Sequence, residues 1–216
     1  MRNVAVIGMG HVGATVAFTL FTHGIVDNLY LLDKNQAKAE AEYNDLRDTL
    51  ARNDYHVNVF LGDYSDLKDV DIIVTSFGNI AATVKTGDRF GEFEINSKNA
   101  KEVGAKIKES GFKGILINIS NPCDAISTIL QETTGLSKKQ VFGTGTFLDT
   151  ARMQRIVGEA LNEDPRNVEG FVLGEHGASQ FTAWSTVSVN GKSAKELFTK
   201  EQEEKLSAQP NKNSMK

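Results

Sequence analysis

The 216-residue sequence predicts a doubly wound α/β domain, a parallel sheet covered by helices on both faces, followed by a smaller α+β unit. Three observations predict it. Short runs rich in valine, isoleucine and leucine alternate with helix-forming stretches through the first two-thirds of the chain. Those runs are apolar at successive positions rather than at every second one, as in strands with both faces buried. Beyond residue 146 the alternation gives way to shorter runs, one of which ends in Asn190-Gly191, a strong local hairpin signal.

Residues 3–8 read as the first strand, stopping at glycines, with a helical stretch from about 12 to 23 behind it. Residues 28–33 have strand length, and residues 36–50 are rich in Ala, Glu, Lys and Arg, side chains that lose little freedom in a helix. Residues 57–61 and 70–77 read as two further strands with an acidic turn between them. A long amphipathic helix is predicted over 88–110, ended by Gly111, because glycine adopts the left-handed conformation that closes a helix. Residues 115–119 make a fifth strand, 124–131 a helix and 141–144 a sixth strand. A first domain over 1–145 is thereby complete. The second, over 146–216, is predicted as a helix to about 161, strands over 168–173 and 181–189, a hairpin, a helix over 194–206 and a polar tail.

Composition narrows the function. With 40% hydrophobic and 24% charged residues, the chain matches an ordinary globular protein and no disordered or fibrous class. No apolar run approaches membrane-spanning length. Twenty-four basic against 28 acidic side chains leave a net charge of -4, which gives nucleic acid or an anionic membrane no electrostatic attraction. The expected partner is a small molecule. A single cysteine, Cys123, excludes an internal disulfide and a multi-thiolate metal site, and with no signal peptide the expected location is the cytoplasm.

Gly8-Met9-Gly10-His11-Val12-Gly13 fits the G-x-G-x-x-G spacing between a strand and a helix. In that context the first glycine makes the turn, the second lets backbone approach a pyrophosphate, the third lets helix pack on strand, and helix-start amides hold the phosphates. Asp33 ends the next strand about twenty residues on, where a carboxylate can accept hydrogen bonds from ribose hydroxyls and repel a 2′-phosphate, selecting NAD over NADP. Taken singly, glycines are common in turns and Asp33 could equally cap the following helix. The conjunction points to a dinucleotide. His11 reads as an exposed loop residue.

Further segments occur in order along the chain: Thr86-Gly87-Asp88-Arg89-Phe90, Ile119-Ser120-Asn121-Pro122, Gly143 to Arg152, and Gly174-Glu175-His176-Gly177. Together with the glycine loop they resemble the L-lactate and malate dehydrogenase family, and within it the L-2-hydroxyisocaproate dehydrogenase branch. The resemblance implies a Rossmann domain that binds NAD, followed here by an incomplete substrate domain. It implies a cofactor set of Gly8, Gly10, Val12, Gly13, Asp33, Gly78 and Asn121. It also implies that Asp149 accepts the ring N–H of His176, that His176 acts as general acid or base, and that Arg152 clamps the substrate carboxylate by a two-pronged contact. Arg89, at the end of a mobile lid, would polarise the substrate carbonyl, and Asn121 would bond the substrate and orient the nicotinamide, before a cis bond to Pro122.

Read without the family, each residue has a plainer role. Asp149 and Arg152, three apart on a helix, would be a surface ion pair worth under about 1 kcal/mol. His176 would be a turn histidine bound to backbone, Arg89 a first-turn residue on a solvated helix, and Asn121 a turn former. Cys123 reads as a small buried hydrophobe.

The resemblance implies that the segment Asn79-Ile80-Ala81-Ala82-Thr83-Val84-Lys85 faces the substrate's side chain, where malate dehydrogenases place an arginine for a second carboxylate; it holds none, which disfavours malate. Its apolar content favours larger aliphatic 2-oxo acids such as 2-oxoisocaproate over pyruvate, at about 0.8 kcal/mol per buried methylene. The resemblance further implies a homo-oligomer, tetramer or dimer, and a subunit of roughly 300 residues. The chain is therefore expected to lack part of the substrate domain. A dinucleotide-binding fragment with weak catalysis is the alternative expectation.

Overall fold

The structure, a computed structural model, describes residues 1–78, 92–177 and 179–212, the last four by backbone alone. Arg89 and the apolar segment 79–85 therefore lie outside the described residues. The chain divides into two compact units, Met1–Gly143 and Thr144–Lys216.

The first unit carries strands β1 (Asn3–Ile7), β2 (Asn28–Leu32), β3 (Asn58–Leu61), β4 (Ile72–Thr75), β5 (Ile115–Asn118) and β6 (Val141–Gly143). All pair in parallel, in the order β3-β2-β1-β4-β5-β6. This is the order of a dinucleotide-binding sheet, and the chain changes direction across it between β1 and β4, where such folds take their ligand. Helices α1 (His11–Thr22), α2 (Gln36–Thr49), α3 (Phe93–Ser110) and α4 (Cys123–Thr134) connect the strands.

Why the strand runs are apolar throughout is visible in β1. Ala5 and Ile7 enter a core with Leu116, Ile107 of α3 and Ile126 of α4, while Val4 and Val6 enter a second core with Ala17 and Phe21 of α1 and Leu46 of α2. Successive residues of a strand face opposite ways, so a central strand of a sheet with helices on both sides is buried on both faces. Phe21 is fully buried, and truncating it to alanine should cost about 3–5 kcal/mol. Register is pinned by side chains too. Asn3, Asn28 and Asn58 stand level on three neighbouring strands, and their amides link across them, Asn28 Nδ2 to Asn3 Oδ1 at 2.8 Å and Asn58 Nδ2 to Asn28 Oδ1 at 2.9 Å.

The second unit contains α5 (Phe147–Leu161), β7 (Val168–Glu169), β8 (Val172–Leu173), β9 (Phe181–Thr182), β10 (Ser188–Val189), β11 (Lys192–Ser193), α6 (Ala194–Leu197) and α7 (Lys200–Lys212). Its core gathers Met153, Val157, Val168, Val172, Val187, Val189 and Ala194.

Here the structure departs from the sequence expectation in three places. The run 168–173 is not one strand: Gly170, at φ 129°, breaks it, so that β7 pairs with β10 and β8 with β9. The run 181–189 is interrupted by the 3-10 turn Trp184–Thr186. The helix expected over 194–206 is two helices, because Phe198 is extended and Thr199 starts α7 anew, its Oγ1 accepting from Gln202 N at 3.3 Å. The polar tail is correspondingly helical as far as Lys212. The Asn190-Gly191 hairpin is present, with φ 50° and 78° at the two turn residues, both in the left-handed region that a two-residue turn requires. Among the described residues no helix is long and apolar enough to cross a membrane.

Candidate functional site

At the glycine loop each glycine has its own reason. Gly8 has φ 103°, and a Cβ there would stand 2.9 Å from the Ser76 backbone. A Cβ on Gly13 would meet the Gly8 carbonyl oxygen at 1.8 Å. Both are required by the fold itself. Gly10 is not: its φ is -70°, and the nearest atom to an added Cβ is Lys38 Nζ, 4.0 Å away. The space above Gly10 is thus open. Gly10 also begins α1 with no side-chain cap and no acidic residue in the first turn, so the first amides are free to point at an anion.

A cavity of about 540 Å³ opens here, lined by Gly8, Gly10, Asp33, Lys38, Tyr64 and Gly78 among others. Asp33 is not the cap of α2, which is Asn35. Asp33 Oδ1 accepts from Asn35 N at 2.8 Å, shaping the start of α2, and its Oδ2 accepts from Met9 N at 2.6 Å, inside the glycine loop. Burial, with Glu102, Asp33 and Asp63 nearby, pushes the Tyr64 phenol up to about 12, so the cavity presents a neutral ring. The hydrogen bond from Lys106 holds the Glu102 carboxyl below its ordinary value.

Val12, Gly13 and Asn121 are not among the residues lining that cavity. Asn121 precedes a cis bond to Pro122, and its carbonyl accepts from the Asn96 amide at 2.7 Å. The turn is held from beneath by buried Asn118, whose Nδ2 donates to the carbonyls of Ser120 and Cys123 at 3.1 Å each.

In the second unit the structure brings Asp149, Arg152 and His176 together. Asp149 is 1% exposed and bridges both partners: Oδ2 lies 2.5 Å from His176 Nδ1, and Oδ1 accepts from Arg152 Nη1 at 3.2 Å. The surface ion pair expected from spacing alone is therefore replaced by a buried carboxylate, which must be paired to stay charged. An ionised carboxylate only accepts, so the proton sits on Nδ1 and leaves Nε2 for a ligand. The side chains of His176 and Arg152 are 17% and 30% exposed. Neither lines the unit's cavity of about 500 Å³, which lies on the side of Asp149 toward Trp184 and α7.

The loop bearing His176 is tied to α5 by side chains one helical turn apart. Thr146 Oγ1 donates to the Val172 carbonyl at 2.7 Å, Thr150 Oγ1 accepts the Val172 N–H at 3.0 Å, and Gln154 Nε2 donates to the Val168 carbonyl at 2.8 Å. The helix that carries Asp149 thus holds the starts of β7 and β8, the two short strands leading to His176.

Two family patterns match the chain, "lactate/malate dehydrogenase, NAD binding domain" over residues 2–143 and "lactate/malate dehydrogenase, alpha/beta C-terminal domain" over 146–211. The chain belongs to the lactate/malate dehydrogenase family. Its N-terminal unit is that family's NAD-binding domain, and the clear space above Gly10 fits the group. Among curated relatives, L-lactate dehydrogenase 1 of Bifidobacterium longum subsp. longum is 46% identical over 191 residues, 88% of this chain and 60% of the relative. L-lactate dehydrogenase 2 of Lactococcus lactis subsp. lactis is 39% identical over 200 residues, 92% of this chain and 63% of the relative. A solved lactate dehydrogenase from a Medee basin deep-sea metagenome library superposes with a TM-score of 0.89 at 34% identity, covering 97% of this chain and 69% of that one. The chain thus spans about 60% of the length of the curated relatives it matches.

Several residues escaped the sequence reading of this family member. Lys38 and the Met9 amide acquire their places only through the packing of α2 and the glycine loop on the sheet. Asn96 carried a faint signal, a lone polar residue on the buried stripe of α3. Asn118 carried another, an amide inside the apolar run 115–119.

Proposed function

We propose that the chain carries the site of an NAD-dependent oxidoreductase that interconverts an L-2-hydroxy acid and its 2-oxo acid. The observation that supports this best is the buried Asp149 shared by His176 and Arg152 within one unit, in a chain whose other unit is an NAD-binding domain. NAD, when bound, supplies or takes up the hydride. Gly8, Gly10, Val12, Gly13, Asp33, Gly78 and Asn121 would hold it, through bare backbone at Gly10, first-turn amides of α1 and the Asp33 carboxylate. In the reducing direction His176 gives the Nε2 proton to the substrate oxygen as it gains negative charge, and in the oxidising direction it takes the proton back. Asp149 keeps the ring in the tautomer and orientation this requires. Arg152 spends one N–H on Asp149, leaving the rest of its planar fork for the substrate carboxylate, a geometry lysine cannot reproduce. Arg89 is assigned the carbonyl oxygen on the family resemblance.

The substrate we propose is an aliphatic 2-oxo acid, larger ones such as 2-oxoisocaproate preferred over pyruvate. Ile80, Ala81, Ala82 and Val84, with no arginine among residues 79–85, support this reading. The relatives named as L-lactate dehydrogenases speak for lactate, so the two acids should be compared directly. A kcat/KM for 2-oxoisocaproate above that for pyruvate is expected, and the reverse order returns the assignment to lactate.

A second reading is favoured by the 60% share of the relatives' length: the 216 residues bind NAD and turn over slowly, because hydride transfer needs a preorganised, water-poor pocket. NADH binding without turnover in the isolated chain supports it, and turnover at a relative's rate removes it.

A further inference from the structure

The tie between Asp33 and Met9 assigns the Asp33 carboxylate a second task. Met9 lies between the first two glycines of the loop, and its side chain is fully buried in the core beneath. Gly8 is fastened on both sides, its N–H donating to the Leu32 carbonyl at 2.8 Å and its carbonyl accepting from Ser76 Oγ at 2.7 Å. The Met9 N–H donates to Asp33 Oδ2 at 2.6 Å, one residue before the open backbone at Gly10, whose own carbonyl accepts from Ala14 N at 2.9 Å. The other Asp33 oxygen is fixed by Asn35 N at 2.8 Å, so the carboxylate is held in one orientation at the end of β2.

We propose that Asp33 is a positioning residue for the glycine loop, latching Met9 so that Gly10 and the first amides of α1 keep the spacing a diphosphate needs. This rests on the reading of the loop as the NAD pyrophosphate cradle and adds the anion end to the ribose role of the same carboxylate. The two roles are compatible, because each carboxylate oxygen accepts more than one hydrogen bond. They also make a sign prediction. By charge alone, a carboxylate opposes a nearby diphosphate, and removing it strengthens binding. As a latch it favours the diphosphate, and removing it weakens binding. Replacing Asp33 to admit a 2′-phosphate would accordingly loosen the hold on the pyrophosphate at the same time.

The test uses the 216-residue chain, the variants Asp33→Asn and Asp33→Ala, and two probes, ADP and 2′,3′-dideoxy-ADP, titrated by calorimetry. The dideoxy probe has no ribose hydroxyl for Asp33 to bind, so it reads the anion end alone. Expected is a loss of dideoxy-ADP affinity of about tenfold in Asp33→Ala, with Asp33→Asn, which keeps one acceptor, in between. Amide hydrogen exchange should show Met9 exchanging at least roughly tenfold faster in Asp33→Ala while Val6 and Ile7 of β1 keep their rates. Dideoxy-ADP affinity equal to or above the parent's overturns the latch, as does unchanged Met9 exchange. A loss confined to ADP also overturns it and leaves Asp33 a ribose ligand only. Should Val6 and Ile7 also exchange faster in Asp33→Ala, the isosteric Asp33→Asn decides by the same two readouts. A parent chain that binds neither probe overturns the NAD reading and the latch together.

Discussion

In the N-terminal unit the groups proposed for the diphosphate are backbone, the bare Cα of Gly10 and the opening amides of α1, with the Asp33 carboxylate beside them. In the C-terminal unit they are side chains, His176 and Arg152 gathered on buried Asp149. The difference decides how each part fails. A backbone site is lost by adding atoms where none belong or by releasing the tie that holds the backbone in place. A side-chain site is lost by deleting one group, while the helix beneath survives.

The largest expected effect lies in the side-chain site. His176→Ala should lower turnover by about 10²–10⁴-fold, the usual contribution of a positioned acid or base, and leave the Kd for NADH within about twofold. Turnover is read from NADH absorbance and binding from NADH fluorescence. Turnover near the parent level would remove His176 from the chemistry.

Next come the two glycines that separate fold from function. Gly13→Ala places a Cβ 1.8 Å from the Gly8 carbonyl oxygen and 2.4 Å from Ser76 Oγ, so overpacking should cost about 1–3 kcal/mol or more in denaturant unfolding. Gly10→Ala adds a Cβ whose nearest neighbour is Lys38 Nζ at 4.0 Å and should cost about 1 kcal/mol or less, yet lower NADH affinity at least roughly tenfold by filling the cradle. Equal loss of stability in both variants would mean that Gly10 serves the fold and not a ligand.

A smaller effect is expected at Thr150, whose Oγ1 accepts the Val172 N–H. Thr150→Val leaves a half-buried donor without its partner, about 1–3 kcal/mol locally, and lets the strand leading to His176 shift. Turnover should fall about tenfold and recover in Thr150→Ser, which keeps the hydroxyl. Failure of serine to rescue would trace the loss to packing of the methyl group instead.

How far the sequence foretold this molecule follows the same division. Strands β1, β2, β4 and β5 were legible because both their faces are largely buried, which writes a nearly continuous apolar run into the chain, and the edge strands β3 and β6 were legible from their apolar residues even though Phe60, Leu61 and Phe142 stay exposed. In the C-terminal unit the strands are two residues long, and periodicity has no room to show. Gly170 and Phe198 redirect the chain through backbone dihedrals that neighbouring residues do not announce. Helix α7 extends through residues that looked like tail because it packs on α5 and Ser207 accepts the Trp184 indole N–H at 2.9 Å. Of the candidate site, the glycine loop could be reasoned from spacing, whereas Asp149, Arg152 and His176 stood out only through the family resemblance. Their own spacing suggested a surface ion pair and a turn histidine. What reverses that reading is the burial of Asp149, and burial is set by the tertiary packing of α5 against β8.

The smallest effect concerns a charge that serves the fold alone. Hydrogen bonds from the Arg166 side chain and backbone hold Asp164 down to about 2, from an ordinary 3.8, at the turn that leads from α5 into β7. A carboxyl lowered on folding contributes stability that is fully present above its unfolded value and is lost as pH falls through the folded one. The acid unfolding curves of the parent and of Asp164→Asn should therefore differ by a constant small offset at neutral pH and converge only between about pH 4 and about pH 2. Because the pair is exposed and screened, raising the ionic strength should shrink the offset. Neither NADH affinity nor turnover should respond at all. A change in either would mean that the turn at Asp164 reaches the site through α5, and that the second unit is less divisible into fold and function than the first.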